Sequence, residues 1–167
     1  MGRGVAGKAL MAKAIVGAEV SHRDGIYFNR PGVAIVKWDA ACKAAHIEWQ
    51  GWADPAEFAA ANDAIILALT QRGGSRALGD CREMKVIKQS DQEWVHRDWF
   101  PRVLAAGLRR MALVIPKSGL ALMNVQEIMS RIPGTKLDVA YFATIEEARA
   151  WLSRPHTATP AVLPTIG

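Results

Sequence analysis

Asp80, Cys81 and Arg82 stand in succession at the end of a short run, Arg76-Ala-Leu-Gly-Asp-Cys-Arg82. A carboxylate, a thiol and a guanidinium so placed can pair with one another, bind a charged partner or present a nucleophile. Lys117 and Ser118 follow a second apolar run, Met111-Ala-Leu-Val-Ile-Pro116. If both runs are parallel strands, the five residues share one rim, because ligands bind beyond the carboxyl ends of such strands. An Asp opposite a Lys is the pairing of an aspartyl phospho-acceptor. That chemistry also needs an acidic pair to hold Mg²⁺, and none stands at a matching strand end. A hydrogen bond or ion pair from Asp80 to neighbouring backbone or to Arg82 is the plainer expectation. Cys81 reads as a buried structural cysteine, since no histidine is placed to activate it.

Ser90-Asp-Gln-Glu93 has the pattern of a capping box, which makes Ser90 the expected N-cap of a helix. As a phospho-acceptor, Ser90 would gain from the helix dipole but would meet Asp91 and Glu93. Trp94, Trp99 and Phe100 read as core residues of that helix. The alternative is that they line an apolar pocket between helix and sheet, able to carry or sense a small apolar or lipid ligand. The four histidines, His22, His46, His96 and His156, are scattered, and no pair has metal-site spacing. Neither a metal nor another cofactor is expected. Cys42 and Cys81 form no CxxC pair and read as free thiols in a reducing compartment, hence a cytoplasmic protein.

The chain of 167 residues, 50% hydrophobic and 22% charged, is sized for one domain with a real core. Its net charge of +5 is unevenly placed: the first 24 residues carry +2 and the last fifteen +1, so the body is close to neutral. Ten basic and five acidic residues lie between Arg72 and Lys117, dispersed over strands, loops and helices. That is a mixed solvated surface, and no nucleic-acid partner is expected. No run is long enough for a membrane span. Residues 1–24 read as a loosely ordered basic arm, 25–153 as the domain, and the Pro/Thr/Ala-rich 154–167 as a disordered tail.

The elements that must position these residues follow from pattern. Gly25-Ile-Tyr-Phe28 is a short apolar patch and Asn29-Arg-Pro-Gly32 a turn. Val33–Trp38 and Ala44–Gln50 form an antiparallel hairpin; the second strand alternates Ala45, Ile47 and Trp49 against His46, Glu48 and Gln50, which predicts one wet face. Asp54-Pro-Ala-Glu57 caps a helix with Phe58, Ala61, Ile65 and Leu69 inward, and Arg72-Gly-Gly74 ends it. Pro101 predicts a kink or a fresh helical turn. Residues 110–116, apolar without alternation, predict a strand covered on both faces. A helix with Val125, Ile128, Met129 and Ile132 inward ends before Pro133-Gly134. A strand over 137–142 follows, then a helix capped by Thr144 with Ile145, Ala148, Trp151 and Leu152 on one side. The order β-β-α-β-α-β-α-β-α gives an α/β domain with a single mixed, mostly parallel five-stranded sheet flanked by helices.

This order, with Leu78-Gly-Asp-Cys-Arg82, Asp91-Gln-Glu-Trp94, Asp98-Trp-Phe-Pro101, Met111–Pro116 and Tyr141–Leu152, resembles a divergent branch of the STAS superfamily, the sulfate-transporter and anti-sigma-factor-antagonist fold. The resemblance implies a non-catalytic regulatory or protein-interaction module. Its partner is expected to be a protein, with a homodimer as one form. Anti-sigma antagonists carry an Asp-Ser-(Ser/Thr)-Gly-like phosphorylation motif where their second helix begins. Here that place reads Ser90-Asp-Gln-Glu93, with no preceding Asp and no following Gly.

Overall fold

The computed structural model describes residues 21–132 and 136–155. Most of the expected arm (residues 1–20), Pro133-Gly134 and the tail from residue 156 lie outside the described residues. Six strands form one sheet: β1 (Ile26–Arg30), β2 (Ala34–Asp39), β3 (Ala44–Trp49), β4 (Arg76–Asp80), β5 (Arg110–Val114) and β6 (Asp138–Phe142). The helices are α1 (Pro55–Arg72), α2 (Gln89–Trp94), α3 (Phe100–Ala105), α4 (Gly119–Ser130) and α5 (Ile145–Ser153).

The expected sheet gains a strand. Residues 26–30 pair antiparallel with β2, with Phe28 opposite Val36 and Arg30 opposite Ala34. Asn29 and Arg30 belong to this strand, and the turn tightens onto Pro31–Val33, where Gly32 takes φ 77°. A register shift between Ile26 and Phe28 interrupts the alternation that would have marked the strand.

Strand order in space is the order in sequence, β1 to β6. The β1–β2 and β2–β3 pairs are antiparallel, and β3 to β6 run parallel. Three parallel crossovers advance in one direction across the sheet. Right-handed connections must therefore lay α1, the α2–α3 segment and α4 on the same face. Their inward residues, including Phe58, Ile65, Leu69, Val95, Trp99, Val125 and Ile128, pack there with Val36, Ile47, Ala77 and Leu113 from the sheet. Among the described residues the opposite face receives α5 alone, whose Ala148 and Leu152 pack with Cys42, Ala44, Leu78, Ala112 and Val114. β5 is buried along its whole length, as the absence of alternation predicts.

Local chemistry sets the helix ends. Asp54 accepts from the Glu57 N–H at 2.8 Å while Glu57 accepts from the Asp54 N–H at 3.0 Å, a complete capping box. α1 ends at Gly73, whose φ of 62° a glycine adopts without a Cβ penalty. Between α2 and α3 the backbone widens into a π-helical turn over Val95–Trp99. There the Phe100 N–H reaches back to the Val95 carbonyl, and Pro101, with no N–H, cannot restore the tighter repeat.

Candidate functional site

Asp80 ends β4 and is 3% exposed. Arg82 grips it with both arms, Nε to Oδ1 at 2.9 Å and Nη2 to Oδ2 at 2.7 Å, and the Arg82 N–H adds a bond to Oδ1 at 3.2 Å. Burial raises the Asp80 carboxyl, but the Arg82 bonds and charge outweigh it and hold the group below the usual carboxylate range. Lys117 does not face Asp80: its ammonium pairs with Glu83. The Asp–Lys geometry of an aspartyl phospho-acceptor is therefore not assembled. Lys117 joins the rim through backbone, its N–H donating to the Arg82 carbonyl at 3.2 Å. Ser118 caps α4, its Oγ accepting from the Ala121 N–H at 3.4 Å.

Because side chains alternate across a strand, Asp80 and Cys81 part company. Asp80 lies on the α5 side and Cys81 points into the main core, 3% exposed. Burial pushes the Cys81 thiol up to about 12, with Asp80 adding to the effect. Cys42 is 1% exposed and pushed up to about 11, again mainly by burial.

Ser90 is not an N-cap. α2 begins one residue earlier, with Lys88 in the capping position and no side-chain cap bond. The start is fixed from elsewhere: the Gln92 side chain donates to the Ile87 carbonyl at 2.8 Å, and Asn124 of α4 accepts the Ile87 N–H at 3.1 Å. Ser90 is left exposed in the first turn.

Trp99 and Phe100 line an apolar cavity of about 80 Å³ together with Ile47, Phe58, Cys81 and Leu113. Trp94 is not among the lining residues; it packs edge-on against Phe58 at 6.2 Å and under Arg102 at 5.9 Å. The Trp99 indole N–H donates to the Asn62 carbonyl at 2.8 Å, which fixes the ring in the wall. Pockets for drug-sized ligands measure roughly 300–1,000 Å³.

Two features lie outside the residues that pattern had singled out. The first is His46, on the β3 face expected to be wet. It is 2% exposed, and neither ring nitrogen has a hydrogen-bond partner among the described residues. Leaving such a group unpaired costs roughly 1–3 kcal/mol. Around it stand Lys37, Asp39, Asp80 and Arg149. Asp39 Oδ2 is 4.0 Å from His46 Nδ1, and Arg149 of α5 binds the same Oδ2 at 2.8 Å. Burial, then Lys37, holds the ring's pKa down at about 4, so the imidazole is neutral at physiological pH. The wet-face expectation holds at Gln50, which is exposed, and in part at Glu48, but fails at His46, beside which Arg149 of α5, about a hundred residues later, binds Asp39.

The second feature is a set of exposed apolar side chains. Among the described residues the exposed large hydrophobic side chains are Trp52, Val86, Leu120 and Met123. Trp52 and Val86 line one surface depression. The Ile87–Asn124 bond joins the Val86 loop to the helix bearing Leu120 and Met123.

The mixed sheet and its element order agree with an independent comparison. A family model described as SpoIIAA-like matches residues 44–153, from the first residue of β3 to the last of α5. The chain belongs to the SpoIIAA-like family. No curated protein and no solved structure matched the chain. The matched span of the SpoIIAA-like domain contains the rim, the cavity and His46. The β1–β2 hairpin precedes it. No helix among the described residues is long and apolar enough to cross a membrane.

Proposed function

We propose that this SpoIIAA-like domain is a non-catalytic regulatory module that docks a protein partner on the rim formed by the β4–α2 loop and the first half of α4. The observation that carries this reading is a set of exposed apolar side chains: Trp52, Val86, Leu120 and Met123 are 46–64% exposed, Trp52 and Val86 line one depression, and the Ile87–Asn124 bond ties the Val86 loop to the helix that bears the other two. Dispersed apolar residues are normal on a surface, whereas a contiguous group ringed by charge marks a contact. Lys85 and Lys88 line the depression with Trp52 and Val86, Lys88 lying over the Trp52 ring, with Asp91 the one acidic side chain in that lining. The matching partner surface has an apolar centre and an acidic margin.

Leu120→Lys and Met123→Glu test the reading, since both positions are solvent-exposed and the fold should be unaffected. Partner co-purified from the source cell with the parent protein should be lost with either variant. Equal recovery by parent and both variants would refute the docking site. Sedimentation of the purified protein separates a second copy of the chain from a different partner.

A second reading has one observation in its favour. Ser90 is exposed and free of any capping bond beside this same rim, so a phosphoryl group there would alter partner binding by charge. A phosphomimetic Ser90→Asp that left partner affinity unchanged would dispose of it. A carrier of a small apolar or lipid ligand is less well supported, because the cavity is several-fold smaller than such ligands need.

A further inference from the structure

We propose that His46, Glu48 and Asp80 form a binding site for one divalent first-row transition-metal ion. Each offers a ligand atom, and these atoms all lie within 4.8 Å of one another. The set is built by the sheet itself. His46 and Glu48 are two apart on β3 and so share a face, and Asp80 stands beside Glu48 in the parallel β3–β4 register. Ligands about 2.1 Å from a tetrahedral ion stand about 3.4 Å apart, so closing the set takes side-chain shifts of roughly 1 Å.

A second, independent observation points to a ligand. His46 is 98% buried, and both of its ring nitrogens lack a hydrogen-bond partner among the described residues. A neutral imidazole in that state holds a lone pair with nothing to receive it, and a metal ion is the common receiver. Asp39 Oδ2, 4.0 Å from Nδ1, occupies the place of the outer carboxylate that orients metal-bound histidines. Asp80 is engaged by Arg82, yet an ionised carboxylate has about four acceptor positions, and Arg82 takes only some of them. Arg82 then becomes the outer partner that fixes the carboxylate's direction.

The surrounding charge divides in two. Arg82 and Arg149 already pair with Asp80 and Asp39. Lys37, opposite His46 on β2 and partly exposed, is the cation that opposes an incoming ion, and its long stem can carry the ammonium toward solvent. One imidazole with two carboxylates suits Zn²⁺, Mn²⁺ or Fe²⁺. It suits neither Cu⁺, which favours sulfur, nor Ca²⁺ and Mg²⁺, which favour all-oxygen shells. The site is independent of the partner-docking reading, since it lies on the α5 face of the sheet.

The full-length protein, treated with chelator and dialysed, is titrated with Co²⁺ followed by visible absorption and with Zn²⁺ followed by calorimetry. One equivalent should bind, with ligand-field bands of a mixed nitrogen–oxygen site. His46→Ala and Glu48→Gln should each weaken binding by about tenfold or more, and Lys37→Met should tighten it. Nitrogen NMR should show the His46 ring shifting with Zn²⁺ at one equivalent while His22 and His96 stay unmoved. Glu48 is partly exposed, so Glu48→Gln keeps its fold and remains decisive if His46→Ala does not. Absence of saturable binding would overturn the proposal. So would binding indifferent to both ligand substitutions, which marks an adventitious ion only.

Discussion

Ala77 lines the apolar cavity beneath the α2–α3 segment and is 1% exposed. Replacing it with valine adds two methyl-sized groups that point into a space of about 80 Å³. At about 24 cal/mol per Å³, an empty cavity of that size costs about 2 kcal/mol, which sets the ceiling on what filling can recover. Two buried carbons contribute about 1.6 kcal/mol by transfer, and imperfect fit removes part of that. Valine also suits a central strand. The expected outcome for Ala77→Val is a gain of about 1 kcal/mol, seen as a rise of roughly 2–4 °C in the unfolding midpoint.

The companion change, Gly79→Ala, sets the sign. A Cβ at Gly79 would lie 2.6 Å from Leu113 Cδ2, so the leucine tip must turn aside into the same space. That substitution should cost about 1 kcal/mol, the low end for overpacking, because a side-chain tip yields more easily than backbone. Thermal and urea unfolding of both variants against the parent provide the assay. A loss of 1 kcal/mol or more in Ala77→Val would refute the reasoning, since it would mean that the space is already filled in solution. Native mass spectrometry then separates the two causes. Added mass on the parent that is absent from Ala77→Val identifies a resident apolar ligand. No added mass identifies a core that has closed on itself.

Further outcomes follow from other contacts. A Cβ at Gly51 would lie 2.5 Å from the Gly32 carbonyl oxygen, a backbone atom that cannot turn away, so Gly51→Ala should cost about 1–3 kcal/mol in urea unfolding. Cys42 and Cys81, buried and with thiols raised to about 11 and about 12, should resist thiol reagents at pH 8 in the native protein, and both should react promptly in denaturant. The Asp91 carboxyl is raised by burial against the pull of Lys88, with Asp54 adding to the rise. An acid raised by folding binds its proton more tightly in the folded state, so its favourable contribution exists at low pH and is lost as pH climbs past the ordinary carboxylate range. Asp91→Asn should therefore raise the midpoint at pH 7 and leave it nearly unchanged at pH 3.

What could be read from sequence was what short-range chemistry decides. The Asp54 capping box, the Phe58–Leu69 stripe, the glycine that ends α1 and the fully covered β5 all depend on residues close in the chain. The failures share a different cause. β1 escaped because a register shift breaks its alternation and its evidence of pairing lies in Val36 and Ala34 across the hairpin. Ser90 looked like a cap because the residues that move the helix start, Gln92 and Asn124, act on Ile87 through bonds that no local pattern shows. His46 looked solvent-facing because strand alternation says which side a residue is on, not what comes to cover that side.

The same topology explains why the two proposed sites are separate. A strand order that never reverses, joined by right-handed crossovers, spends three helical segments on one face of the sheet. That face becomes the deep core, and the loop that bears Val86 is tied there to the helix that bears Leu120 and Met123. Among the described residues the other face has only α5, which packs over β4 to β6 and against Ala44 at the start of β3, while charged side chains stand around His46 farther along β3. A sheet face closed by arginines and carboxylates instead of a helix can bury an imidazole without giving it a partner. In this domain, that is where His46 stands between Asp39 on one side and Glu48 and Asp80 on the other. A metal ion there would tie β3 to β4 just below the loop that Arg82 begins, through the same carboxylate that Arg82 holds.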